Sequence, residues 1–407
     1  MQPGVKRPTF RITWIDVSSR ATFVSLYSKI GQCVAGTYMN QLPLLLKQMP
    51  FFGFLFVGLF VLLLIFFKYR THSSLMIVYY LSFVMLGLGL CEFYLCVWTF
   101  DTSNSSVEND NTNGNNFIAD NDLGYKLAPG PRQAHFIKRS NNGALIYNVT
   151  YKINTLGFRG ADQSGGKPTV FFFGDSFTFG EGVSDLETLP ARFAEISGHS
   201  VFNFGVPGYG AQQFLRALEV SRPEHMGIRN DHALIVFSLL NTHVDRAAGR
   251  APWDTDGPLY EISPGGVTLS GSFRSVHGLT ERILNKSYIY KLIRPMFSEA
   301  RDRQRLLAII EAANKLVRER YGTDMIVIFW DSFPSTPPQH ELVRAAWLRE
   351  NLTKSGIVNL PVSKMGPPLQ GSEYYIASDG HPNAAAYLAA AAALFGYCND
   401  TACLKEH

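Results

Sequence analysis

Apolar positions along the chain follow three different patterns. Phe51 to Phe67 is wholly apolar, glycines included, and Leu75 to Trp98 holds a single charge, Glu92. A bilayer core takes about 20 apolar residues in a helix, so these runs, with Leu44 to Leu46 or Met49 beside the first, predict two transmembrane helices rather than a buried soluble hairpin. Residues 101–122 contain no Lys or Arg and are rich in Asn, Asp and Ser, a composition too polar to order itself by burial. Further on, Leu145, Tyr147, Val149, Tyr151 and Ile153 alternate with polar residues, only Ile146 being out of step, which predicts a half-buried strand. From there apolar runs near 169–173, 200–204, 232–238 and 324–330 alternate with helical periodicity near 185–198, 211–221, 301–320, 338–352 and 383–396. That alternation predicts a parallel sheet covered by helices on both faces.

The resulting domain plan is a basic tail (1–48), two transmembrane helices (49–100), a polar linker (101–122), a β-rich lead-in (123–165), an α/β domain (166–397) and a short C-terminal tail (398–407). Gly, Pro and aromatic residues interrupt the α/β domain at 246–300, an insertion that reads equally as a lid over the site or as structural filling. The tail carries Lys6, Arg7, Arg11, Arg20, Lys29 and Lys47 against Asp16, and is either cytoplasmic or upstream of a true start at Met39 or Met49. Its apolar content lies too far from the terminus for a cleavable signal. The connector Lys68 to Ser74 is basic, so the positive-inside rule puts it in the cytoplasm and everything after Phe100 outside, although the basic tail pulls the other way. Net charge is only +4, with no clustered basic and aromatic surface, so no nucleic-acid partner is implied.

The chemistry sits where the run Val170-Phe171-Phe172-Phe173 stops at Gly174-Asp175-Ser176. A buried parallel strand that ends in a tight turn delivers a side chain to the carboxyl edge of its sheet, where open α/β sheets bind ligands. Ser176 there is either a nucleophile or a cap for the next helix. A serine nucleophile needs an imidazole base, and the imidazole needs a carboxylate. Asp379 and His381, two residues apart just before an Ala-rich helix, supply both types.

With these residues the chain resembles the GDSL/SGNH hydrolases, serine esterases and carbohydrate deacetylases, over roughly 160 to 396. Gly174-Asp175-Ser176 matches the first family block, and Asn203-Phe204-Gly205-Val206-Pro207-Gly208-Tyr209 the second, where the oxyanion glycine falls on Gly208 ahead of Gly205. Leu239-Leu240-Asn241-Thr242 is a degraded third block, with Leu239 in place of Gly and Thr242 in place of Asp, but it keeps the oxyanion amide Asn241. Asp379-Gly380-His381-Pro382 is the fourth, its Asp one residue nearer the His than the family's commonest spacing. The resemblance implies a three-layer, flavodoxin-like α/β sheet. It also implies Ser176 as nucleophile, His381 as base and Asp379 as its orienting group, with an oxyanion hole from Ser176, Gly208 and Asn241. The lead-in resembles that of membrane-anchored bacterial members.

No cofactor follows: the glycines of 205–210 lack a nucleotide fingerprint, and His340-Glu341 lacks the second His of a zinc helix. His243 and Asp245, just past Asn241, read as exposed loop polarity ahead of lining the site, and Cys398 and Cys403 as a pair able to close a disulfide outside the cytoplasm. The expected activity is removal of O-acyl groups, acetyl first, from an envelope or exported polysaccharide by a membrane-anchored serine esterase. An acyltransferase with the same nucleophile, or a silent glycan-binding protein on the same fold, are the alternatives.

Overall fold

In the computed structural model the described residues are 76–102, 105–109, 117–140, 143–160, 169–228, 232–276, 287–366 and 368–404, with helical positions at 58, 62–65, 68 and 284. The tail 1–48 and most of the first expected span lie outside them. The second expected span forms the 27-residue helix Met76–Thr102. Its side chains are described only between Tyr80 and Leu95, and among the described residues no helix is long and apolar enough to cross a membrane.

The polar segment after that helix is more ordered than its composition suggests. β1 (Ser105–Asn109) pairs antiparallel with β4 (Arg132–Ser140), and β2 (Phe117–Asp120) makes a hairpin with β3 (Gly124–Leu127). An edge strand is held by backbone hydrogen bonds, which need no apolar side chains of its own. β4 (Arg132–Ser140) and β5 (Leu145–Ile153) form a long antiparallel hairpin, in which the predicted alternation buries Tyr147, Tyr151 and Ile153 while Leu145 stays exposed. Its pairing slips one position between Lys138 and Arg139, a bulge of the kind that re-aims a side chain.

Five parallel strands make the central sheet: β6 (Val170–Phe173), β7 (Val201–Asn203), β8 (Leu234–Leu240), β11 (Ile326–Trp330) and β12 (Val358–Pro361), in the order β12-β11-β8-β6-β7. β9 (Pro258–Ser263) and β10 (Gly266–Ser272) are an antiparallel hairpin within the insertion. Renumbered within the sheet, the order is 2-1-3-4-5, the flavodoxin-like arrangement, and its direction reverses between β6 and β8. Successive strand residues point to opposite faces, and two cores result. Phe171, Phe173, Ile235, Phe237, Val327 and Phe329 pack with helices Ala211–Glu219, Tyr288–Tyr321 and Gln339–Lys354. Val170, Phe172, Val236, Ile328 and Trp330 pack with Leu189–Ser197 and Ala384–Thr401. The expected α/β sandwich is therefore present, with β12 as a strand the sequence pattern did not announce.

Candidate active site

Ser176 stands at the reversal point of the sheet. β6 ends at Phe173, Gly174 takes φ +151°, and a Cβ there would run into the Thr178 hydroxyl, so the turn requires glycine. Asp175 caps the short helix Ser176–Phe179, its Oδ1 accepting from the Phe177 N–H at 3.0 Å. The capping role considered for Ser176 thus belongs to Asp175.

His381 is delivered by a tight loop ahead of helix Ala384–Thr401. Its carbonyl accepts from Ile376 N–H at 2.8 Å, and Asn383 caps the helix through the amides of Ala385 and Ala386, both at 3.1 Å. His381 Nε2 lies 2.8 Å from Ser176 Oγ, and Nδ1 lies 2.5 Å from Asp379 Oδ2. The short Asp-to-His spacing therefore still permits the contact. Burial by itself would push the Asp379 carboxyl up, but the hydrogen bond and charge of His381 and the Lys138 ammonium outweigh it and hold it down at about 2. Burial likewise pulls His381 down, and the carboxylates of Glu181, Asp379 and Asp175 more than reverse this and raise it above the ordinary histidine value.

Three groups at this site carried no sequence signal. Lys138 Nζ is ion-paired with Asp379 Oδ1, and the Asp379 side chain is buried. Tyr147, the cross-strand partner of Lys138, donates its hydroxyl to Glu181 Oε1 at 3.1 Å. The other oxygen of Glu181 is 3.6 Å from His381 Nε2. The lead-in hairpin thus reaches the triad-like residues through one cross-strand pair, and only the alternation of β5, which places Tyr147 on the inward face, hinted at it.

On the other side of Ser176 the structure corrects the loop reading of His243 and Asp245. His243 is fully buried with Nε2 3.4 Å from Asp175 Oδ2, which also accepts from Arg246 Nη1 at 2.6 Å. Burial would raise the Asp175 carboxyl, yet Arg246 and His243 keep it far below the usual range; burial drives His243 down. Asp245 is tied to Arg250 and, at 2.8 Å, to Arg344. The short helix His243–Ala247 turns His243 into the core, while Asp245 stays partly exposed and serves as an ion-pair partner.

The expected oxyanion donors differ in availability. Gly205 N–H donates to Asn203 Oδ1 at 2.9 Å, whereas Gly208 N–H is not engaged in the described backbone network. Gly208 has φ +86°, and a Cβ would sit 2.5 Å from the Tyr125 hydroxyl and 2.7 Å from Trp253 Nε1. The side-chain amide of Asn241 instead donates to the carbonyl and to Oε2 of Glu341, at 3.0 and 2.9 Å. Asn241 is therefore at the sheet edge as expected, but its donor is already occupied.

No family model matches the chain, and no curated protein matches it. Among solved structures it is similar to a member of the lipolytic protein G-D-S-L family from Veillonella parvula, at 14% identity over 56% of this chain and 96% of that one, TM-score 0.32. It is also similar to a salicylyl-acyltransferase from a tetracycline biosynthetic pathway (16%, 61% and 59%, TM-score 0.34). A third is a family two carbohydrate esterase from Clostridium thermocellum in complex with cellohexaose (12%, 74% and 100%, TM-score 0.34). At such scores these likenesses carry no weight for fold or chemistry, which stand on strand order and site geometry.

Proposed function

We propose that the chain is a serine esterase of the GDSL/SGNH hydrolase family that removes O-acyl groups from a polysaccharide outside the cytoplasm. The observation that carries this is the continuous hydrogen-bonded line from Ser176 Oγ through His381 to Asp379, closed by Lys138. His381 Nε2 takes the hydroxyl proton as Ser176 Oγ attacks the ester carbonyl, and the ionised Asp379 holds the imidazole and stabilises the imidazolium. The tetrahedral oxyanion is met by the amides of Ser176 and Gly208, and by Asn241 once Glu341 leaves its amide. Collapse expels the alcohol, which takes the proton from His381. Water, deprotonated by the same nitrogen, then releases the acid and restores Ser176.

Membrane anchorage belongs to the same proposal. It is supported by the run Leu75 to Trp98 and by the exposure of Leu81, Phe83, Val84, Leu88 and Leu90 on helix Met76–Thr102, apolar side chains that need a cover. The family assignment and the polysaccharide rest on the sequence blocks. The test is covalent labelling of the full chain with a fluorophosphonate and mass-spectrometric mapping: Ser176 alone is labelled, and labelling of another serine would sink the assignment. A reporter active only outside the cytoplasm, fused after Asp122, checks the topology.

A further inference from the structure

Strand residues two apart share a face, so Arg132, Ala134, Phe136 and Lys138 of β4 and Tyr147, Tyr151 and Ile153 of β5 form one inward wall of the lead-in hairpin. Lys138 and Tyr147 end at the proposed catalytic centre; Arg132 and Ile153 lie at the opposite end. Along this wall runs a cavity of about 150 Å³ whose lining is mostly apolar, from Ala134, Phe136, Tyr151, Ile153 and Phe179.

Two of its lining residues neighbour groups of the proposed centre, one in space and one in the chain. Glu181 is 3.6 Å from His381 Nε2, and Pro207 immediately precedes the oxyanion glycine Gly208. An acyl group on Ser176 whose carbonyl oxygen faces Gly208 would send its chain between them. Arg132 lines the far end. Its Nη1 donates to the Ala128 carbonyl, while the buried Nη2 has no hydrogen-bond partner among the described residues. An unpaired buried guanidinium N–H is costly, and a carboxylate is the acceptor it pairs with best. The Glu181 carboxylate, held by Tyr147, repels a second negative charge from the near end and so favours the same orientation.

We propose that this cavity is the acyl site and that it takes a chain several carbons long ending in a carboxylate, held by Arg132. The substrates are then half-esters of dicarboxylic acids on a sugar hydroxyl, rather than acetyl esters, which leave the cavity and Arg132 unfilled. The inference rests on the Ser176 reading.

The test uses the full chain in detergent and the p-nitrophenyl esters of acetate, hexanoate and adipate, the last with its second carboxyl free. Ratios of kcat/KM are read, because any misfolded fraction cancels in them. The adipate ester exceeds the hexanoate ester by about tenfold or more, and Arg132→Met removes that preference. Ala134→Phe, which fills the cavity, lowers the hexanoate-to-acetate ratio by about tenfold or more. An adipate-to-hexanoate ratio of one or less, or one that Arg132→Met leaves in place, overturns the proposal. Failure of fluorophosphonate to label Ser176 instead sinks the esterase reading itself, whereas a labelled Ser176 with indifferent ester ratios sinks the acyl site alone.

Discussion

Two Asp–His pairs flank Ser176, each backed by a cation, and they behave in opposite ways. Asp379–His381 is backed by Lys138 and Asp175–His243 by Arg246. The His381 side chain is 17% exposed, lies among three carboxylates and is raised; the His243 side chain is 0% exposed, lies beside Arg246 and is lowered. On the proposed mechanism the same two residue types thus make a proton acceptor in one place and a packing group in the other. What separates them is access to the serine hydroxyl and the sign of the surrounding charge, neither of which is a property of the pair.

The strongest way to break this contrast is to remove each imidazole. His381→Ala, like Ser176→Ala, lowers kcat on an activated ester by about 10⁴-fold or more. His243→Ala lowers melting temperature but keeps kcat per labelled serine within about tenfold, because it meets no reacting atom. Equal losses of kcat from both variants would abolish the distinction.

Next in size is the structural pair. Arg246→Met leaves Asp175 buried beside a neutral His243 and costs about 3–5 kcal/mol in chemical denaturation at pH 7. The sign follows from linkage: Asp175 is depressed in the fold, so its contribution is present above the unfolded value near 3.9 and is lost as pH falls through the depressed one. The gap between Arg246→Met and the parent protein therefore narrows as pH is lowered towards 3. A gap that widens instead would mean that Arg246 does not serve Asp175.

Smaller effects sharpen the catalytic pair. Lys138→Met leaves the Asp379 charge to His381 alone and lowers kcat/KM at pH 7 by about tenfold, with recovery in Lys138→Arg. The acid limb of the pH profile moves up, since His381 must be neutral to accept a proton and now holds it more tightly. Glu181→Gln removes the largest charge raising His381 and moves the same limb down. The two variants shifting in the same direction would show that the limb does not report His381.

Much of this was legible where the signal is local. Ser176 and His381 sit in short blocks, one at a strand end and one on the loop before a helix, and the disulfide Cys398–Cys403 joins residues five apart. β12 was missed because Val358-Asn359-Leu360-Pro361 is short, interrupted by Asn359 and ends in Pro, as edge strands do. Helix Tyr288–Tyr321 begins well before the expected 301 because Pro295 reads as a breaker in sequence yet is accommodated within the helix. Lys138, Glu181 and the hold of Glu341 on Asn241 were beyond reach for another reason. The Lys138–Asp379 contact spans 241 residues and arises only when the hairpin docks, so no local pattern encodes it.

That separation also has a meaning in time. Ser176 and His381 are 205 residues apart in the chain, and ribosomes add about 5–20 residues per second, so roughly 10 to 40 s pass between synthesis of the hydroxyl and of its base. Until Asp379 and His381 emerge, the nascent protein carries an unactivated serine and a Lys138 without its carboxylate. Its reactivity therefore waits on a segment made well after the nucleophile itself.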